Sequence, residues 1–134
     1  MRKGEFIESA EVFNELYGTP RDFVQEALRK KKTILFDIDI QGGMAIKKWR
    51  KDAVLIFILP PSLPALRKRL MDRHSETAES MRLRMSRVLK EIKFMSKYDY
   101  VVCNADLKET VALIESIIKA ESQRVSRCST TNFQ

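Results

Sequence analysis

Apolar residues along this chain fall into two kinds of pattern, and the two alternate. Three runs are almost continuously apolar: Thr33 to Asp39, Ala53 to Leu59, and Tyr100 to Cys103. Runs of this kind predict strands buried on both faces, as in a parallel sheet covered by helices. Elsewhere the apolar residues recur every three or four positions. Phe23, Val24, Ala27 and Leu28 predict a short helix, for which Thr19 is a suitable N-cap and Pro20 a suitable first residue. Leu63, Leu66 and Leu70 follow a Ser62 cap. Met81, Met85, Val88, Ile92 and Met95 stripe a longer helix, and Leu107, Val111, Ile114 and Ile118 stripe the last one. Methionine can line an adaptable binding surface, but at helical spacing the stripe reads as core. Glu5 to Phe13 alternates in part and reads as extended, whereas Ser126 to Gln134 is polar and is expected to fray. Alternating strands and helices predict an α/β fold, a parallel sheet flanked by helices.

The chain's 134 residues suffice for one compact domain with its own core. A formal net charge of +7 would suit nucleic acid, acidic membranes or phosphorylated small molecules. The 25 basic residues are interleaved with 18 acidic ones, and no aromatics alternate with the cations, so no nucleic-acid partner is expected. A solvated basic surface accounts for most of the charge, and a phosphate-binding cleft could account for the rest. No apolar run approaches the roughly 20 residues that span a bilayer, so no membrane partner is expected. Met1-Arg2-Lys3-Gly4-Glu5 leads into no signal-peptide stretch. Cys103 lies in an apolar run and Cys128 in the polar tail, which fits a reducing cytoplasm better than a disulfide framework.

In open parallel sheets, ligands bind beyond the carboxyl ends of the strands. Three such ends carry polar groups here: Asp37 through Gly43, Pro60-Pro61-Ser62, and Asn104-Ala105-Asp106. Each alone is a weak signal, and an acidic strand end followed by glycine is also common turn punctuation. Their order along the chain is more specific. Phe6-Ile7-Glu8, Tyr17-Gly18-Thr19-Pro20, Leu35-Phe36-Asp37-Ile38-Asp39-Ile40-Gln41-Gly42, Phe57-Ile58-Leu59-Pro60-Pro61-Ser62, Arg69-Leu70, Arg73, Arg84, and Tyr98-Asp99-Tyr100-Val101-Val102-Cys103-Asn104 follow one another at the spacing of the guanylate kinases. From about Gly4 to about Glu121 the chain resembles the C-terminal part of that family.

The resemblance implies transfer of a phosphoryl group from ATP to GMP with Mg²⁺, and assigns roles by position. Glu8 matches the carboxylate that reads guanine. It can accept from the ring N–H and the exocyclic NH₂ together, and it would reject AMP. Tyr17 matches the hydroxyl that holds the GMP phosphate, and Thr19 a small hydroxyl residue touching the base. Asp37 falls where the family places an acidic residue near the phosphates and the magnesium region, with Asp39 a second candidate. Arg73 and Arg84 match lid arginines that reach the ATP phosphates, where a guanidinium clamp stabilises the charge developing on the transferred group. Asn104 matches a residue beside the adenine pocket. No metal site built from protein ligands is read from the sequence. Each residue also has a plainer account: a solvated glutamate, a packing tyrosine, a helix cap, surface arginines among Arg67, Arg69, Arg82 and Arg87. His74 stands where the family usually has glycine and is given no chemistry.

The chain contains no Gly-x-x-x-x-Gly-Lys-Ser/Thr loop, the element that cradles the ATP phosphates in this family. Gly42-Gly43 is no substitute, since no hydroxyl follows Lys47. Catalysis by this chain alone is therefore expected to be impaired or absent, and the uncovered strand edges predict a homo-oligomer. The expected layout is a single partial domain: residues 1–19 a remnant of the GMP-binding region, 20–70 and 98–125 core, 71–97 lid, 126–134 tail. Inactive guanylate-kinase-like binding modules are the alternative from another class. A kinase for a different phosphorylated substrate fits less well beside Glu8, Tyr17 and Thr19.

Overall fold

The computed structural model describes residues 5–12, 15–72 and 78–127, which divide into two compact units, Met1–Leu55 and Ile56–Gln134. Arg73, His74 and residues 128–134 of the polar tail, Cys128 among them, lie outside the described residues.

The first unit opens with an antiparallel pair, β1 (Phe6–Val12) and β2 (Glu15–Pro20), with a register irregularity between Phe6 and Ser9. Helix α1 (Arg21–Arg29) follows directly and packs on β2. Val24 faces inward at 2% exposure. The expected cap is displaced by one residue: Pro20 is the N-cap, and Thr19 stays in the strand with its hydroxyl engaged elsewhere. At the far end Lys31 takes φ 54°, with Lys32 N–H donating to Ala27 O and Lys31 N–H to Leu28 O. This is a Schellman-type stop with lysine where glycine is usual. Helix α2 (Ile40–Trp49), packed on β1, was not legible as a helix, because Gly42-Gly43 near its start looked like a turn. Asp39 creates it by capping, its Oδ1 accepting from Gly42 N–H at 2.8 Å.

Between α1 and α2 the run from Thr33 to Asp39 belongs to no sheet. This corrects its reading as a paired strand. Its exposure still alternates, with Ile34, Phe36 and Ile38 half-buried and Thr33, Leu35, Asp37 and Asp39 exposed. That is the two-residue period of an extended chain. A strand, however, is completed by a neighbour's N–H and C=O groups. Among the described residues, none bonds the backbone of 33–38.

In the second unit β3 (Ile56–Leu59) and β4 (Tyr100–Cys103) pair in parallel, each residue of one beside its counterpart in the other. The crossover contains α3 (Leu63–Met71), capped by Ser62, and α4 (Ala78–Ile92), and these two helices pack together. Helix α5 (Leu107–Ser122) packs on β4. The expectation of strands buried on both faces is not met. Phe57 and Val102 are buried, but Ile58 is 51% and Val101 49% exposed. The last helix keeps half of its expected stripe: Ile114 and Ile118 are half-buried, whereas Leu107 and Val111 are exposed and Thr110 and Glu121 are buried. Phe57 and Tyr98 meet edge to face, ring centres 4.9 Å apart.

Candidate functional site

The β1–β2 hairpin brings Glu8 and Thr19 together across eleven residues of chain. The Thr19 hydroxyl donates to Glu8 Oε1 at 2.6 Å in a part-buried setting. A single register allows this, and Gly18 keeps it open. A Cβ at Gly18 would lie 2.7 Å from Phe6 Cδ1, so that the ring must move, and 3.0 Å from Glu8 O, a tight contact with the backbone. Gly18→Ala is therefore expected to force β1 away from β2, destabilising by about 1–3 kcal/mol and separating Glu8 from Thr19. Thermal melting with and without nucleotide checks this, and a variant that melts and responds like the parent chain contradicts it. Tyr17 occupies β2 beside Gly18, its backbone opposite Ala10.

The two aspartates at the end of the 33–39 run emerge on the same side of the extended chain and then diverge in role. Asp39 is the N-cap of α2. Asp37 is exposed, and no hydrogen bond or ion pair to it is made among the described residues. Its carboxylate is thus available to solvent, phosphate-bound cation or ligand, whereas that of Asp39 is committed to the backbone. The sequence could not separate the two, since both read as Asp at a strand end.

In the second unit, Asn104 follows β4 and extends the pairing by one residue, its N–H donating to Leu59 O at 2.7 Å. Its Oδ1 accepts from the buried Thr110 hydroxyl at 3.3 Å, while that hydroxyl also reaches Asp106 O at 2.5 Å. Asp106 caps α5 by accepting from Glu109 N–H at 3.0 Å. The turn after β4 is therefore held by three consecutive bonded elements, with Arg69 adding a bond from Nη2 to Ala105 O at 3.3 Å. Thr110, which sequence reading missed, holds the Asn104 side chain. Its only sequence signal was a polar residue on an otherwise apolar helix face. Arg84 is exposed on α4.

Glu121 forms a second polar centre near the end of α5. Its side chain is 5% exposed and accepts from Tyr100 Oη at 2.5 Å, with Arg124 Nη2 at 2.8 Å on the same oxygen. Arg127 Nη2 lies 3.4 Å from Oε2, an ion-pair separation without the alignment of a hydrogen bond. The cluster ties the end of α5 to the start of β4. Among the described residues, no three of His, Cys, Asp and Glu converge to hold a metal, and no helix is long and apolar enough to cross a membrane.

The guanylate kinase family model matches residues 1–121. The guanylate kinase of Clostridium perfringens is 44% identical over 123 residues, covering 92% of this chain and 57% of that protein. That of Myxococcus xanthus is 44% identical over 128 residues, covering 95% of this chain and 61% of that protein. Among solved structures, the guanylate kinase of Anaplasma phagocytophilum superposes with a TM-score of 0.77 at 34% identity, over 96% of this chain and 62% of that one. The chain thus spans about three-fifths of the length of the relatives it matches. With nearly all of its own length covered by the family model, this chain belongs to the guanylate kinase family.

Proposed function

We propose that this chain carries the GMP-reading and lid portions of an ATP:GMP phosphotransferase, catalysing ATP + GMP ⇌ ADP + GDP with Mg²⁺ in the cytoplasm. By itself it would turn over slowly or not at all. The single observation that carries the reading is the Glu8–Thr19 pair at 2.6 Å on the hairpin. A carboxylate fixed by a neighbouring hydroxyl presents acceptors where guanine has two adjacent donors and adenine has a ring acceptor. Tyr17 would hold the GMP phosphate. Arg73, Arg84 and Asn104 would serve ATP, with 71–97 closing as the lid.

Mg²⁺ would offset charge on the ATP phosphates. Asp37 is the one site carboxylate left uncommitted among the described residues, which suits contact with the ion's shell. Phosphate and water oxygens would supply its remaining ligands. Impairment of the isolated chain rests on the missing phosphate-cradling loop, because positioning and charge stabilisation carry nearly all of phosphoryl transfer.

The test is thermal stabilisation of the purified chain by GMP, AMP and ATP-Mg²⁺ side by side. At 100 times Kd, a ligand that binds only the folded state adds about 2.7 kcal/mol. A shift with GMP and none with AMP supports the reading. No shift with any nucleotide removes it and leaves the non-catalytic binding module.

Self-association belongs to the same proposal. The 33–39 run has no strand partner among the described residues, and β3 pairs with β4 alone. Leu35 is 72% exposed, and Ile58 and Val101 are open as well. Unpaired edges and exposed apolar groups of this kind favour pairing with a second copy. Light scattering at micromolar concentration should give a mass above 15.6 kDa, and a well-behaved monomer would sink the idea.

A further inference from the structure

The turn after β4 carries an amide that is held from inside the fold. Thr110 is 4% exposed. Its hydroxyl lies between two oxygens, Asp106 O at 2.5 Å and Asn104 Oδ1 at 3.3 Å, and its one proton is shared between them. The Asp106 carbonyl also accepts from Thr110 N–H at 3.0 Å, which ties the hydroxyl-bearing residue to the cap of α5. The backbone of Asn104 is fixed in turn, its N–H donating to Leu59 O at 2.7 Å. With both its backbone and its Oδ1 held, the Asn104 side chain keeps little freedom.

That arrangement turns the other end of the amide, Nδ2, away from Thr110. Among the described residues no acceptor meets it. Asn104 is half-buried, so its NH₂ group is only partly served by water. It also follows the carboxyl end of the parallel β3–β4 pair, the place where ligands of open parallel sheets bind. A donor fixed in that position calls for a ligand atom that accepts. Thr110 decides that it is the donor end of the amide, and not the acceptor end, that a ligand meets.

We propose that Thr110 is a positioning residue, holding the Asn104 amide so that its NH₂ group donates to an unprotonated ring nitrogen of the adenine of ATP. Adenine offers such nitrogens at N1, N3 and N7. This inference rests on the reading of Asn104 as a residue that serves ATP. It adds to that reading a buried hydroxyl that never touches the nucleotide and acts through Asn104.

The test reads the side-chain amide of Asn104, whose paired ¹H–¹⁵N signals are assigned by their absence from Asn104→Asp and report weak binding directly. Titration of the chain with ATP-Mg²⁺ should shift these signals. With one of 1-deaza-, 3-deaza- and 7-deaza-ATP the shift should be lost, because that analogue lacks the accepting nitrogen. Thr110→Val keeps the shape of the side chain and removes the hydroxyl. Its Asn104 signals should move already in the unliganded protein, and ATP-Mg²⁺ should bind about 3-fold more weakly, toward the low end of one hydrogen bond. Thr110→Ser, which retains the hydroxyl, should restore both, and GMP binding should be the same in all of them. If Thr110→Val fails to melt cooperatively, Thr110→Ala takes its place. An unchanged Asn104 response and ATP affinity in a folded variant without the hydroxyl overturn the inference while leaving Asn104 at the ATP site. Equal responses to ATP and to every deaza analogue also overturn it, because the amide then meets the base through its oxygen or not at all. No response of the Asn104 signals to ATP-Mg²⁺ in the parent chain removes both the inference and the reading beneath it.

Discussion

Glu8→Gln should abolish most of the stabilisation by GMP while leaving the melting temperature of the unliganded chain within about a degree or two. The side chain keeps its size and can still accept from Thr19 through Oε1, so the hairpin loses little. Facing the base, however, one acceptor becomes an NH₂ group, and guanine there also presents donors. One hydrogen bond is lost, and a donor is placed against a donor. Loss of a charge-assisted bond plus an unsatisfied partner amounts to about 3 kcal/mol, or roughly a hundredfold in affinity. At a GMP concentration that stabilises the parent chain strongly, the variant should show almost no shift. The parallel AMP titration matters as much. If Glu8 is what excludes adenine, the gap between the two nucleotides narrows in the variant. An equal GMP shift in both proteins would mean that Glu8 is the solvated strand glutamate it could have been on sequence grounds.

The second large effect is expected far from the hairpin. Glu121→Ala removes a 5% exposed carboxylate that accepts from Tyr100 Oη and from Arg124. The Tyr100 hydroxyl, part-buried, loses its acceptor, and the space vacated by one methylene and a carboxylate is not refilled. Together these should destabilise the second unit by about 2–3 kcal/mol, read as a fall in the urea midpoint without a change in slope. Glu121→Gln isolates the cause. It keeps the volume and an acceptor for Tyr100 but discards the charge that meets Arg124 and Arg127. Because Arg124 is 59% and Arg127 36% exposed, the ionic part is weak. The Gln variant should therefore stay close to the parent. A Gln variant as unstable as the Ala variant would move the weight to charge, and two variants matching the parent would show that α5 does not depend on this tie.

Local signals predicted several features well. Ser62 is a capping residue by chemistry, and it accepts from Ala65 N–H three positions on. The stretches 56–59 and 100–103 pair in parallel, as expected from their almost continuously apolar runs, and the ordered motifs identified the family before any coordinates. These depend on a residue and its near neighbours, so a one-dimensional reading reaches them.

Three things were not legible, each because it depends on what lies alongside. Thr33 to Asp39 has a strand's composition and even its alternating exposure, yet it is no strand, because a ladder needs a second backbone and none is bonded to it among the described residues. Thr19 had the chemistry of a helix cap, but the opposite strand placed Glu8 within 2.6 Å and engaged its hydroxyl as a donor, leaving Pro20 to cap α1 without a side-chain bond. The inward face of α5 joins the expected Ile114 and Ile118 to Thr110, which bonds Asn104, and to Glu121, which bonds Tyr100, while Leu107 and Val111 stay exposed. The sequence by itself determined helix starts, apolar segments and family. Only the tertiary structure decided which hydroxyl meets which carboxylate and, among the described residues, which aspartate stays free, because each is settled by residues brought together across the chain.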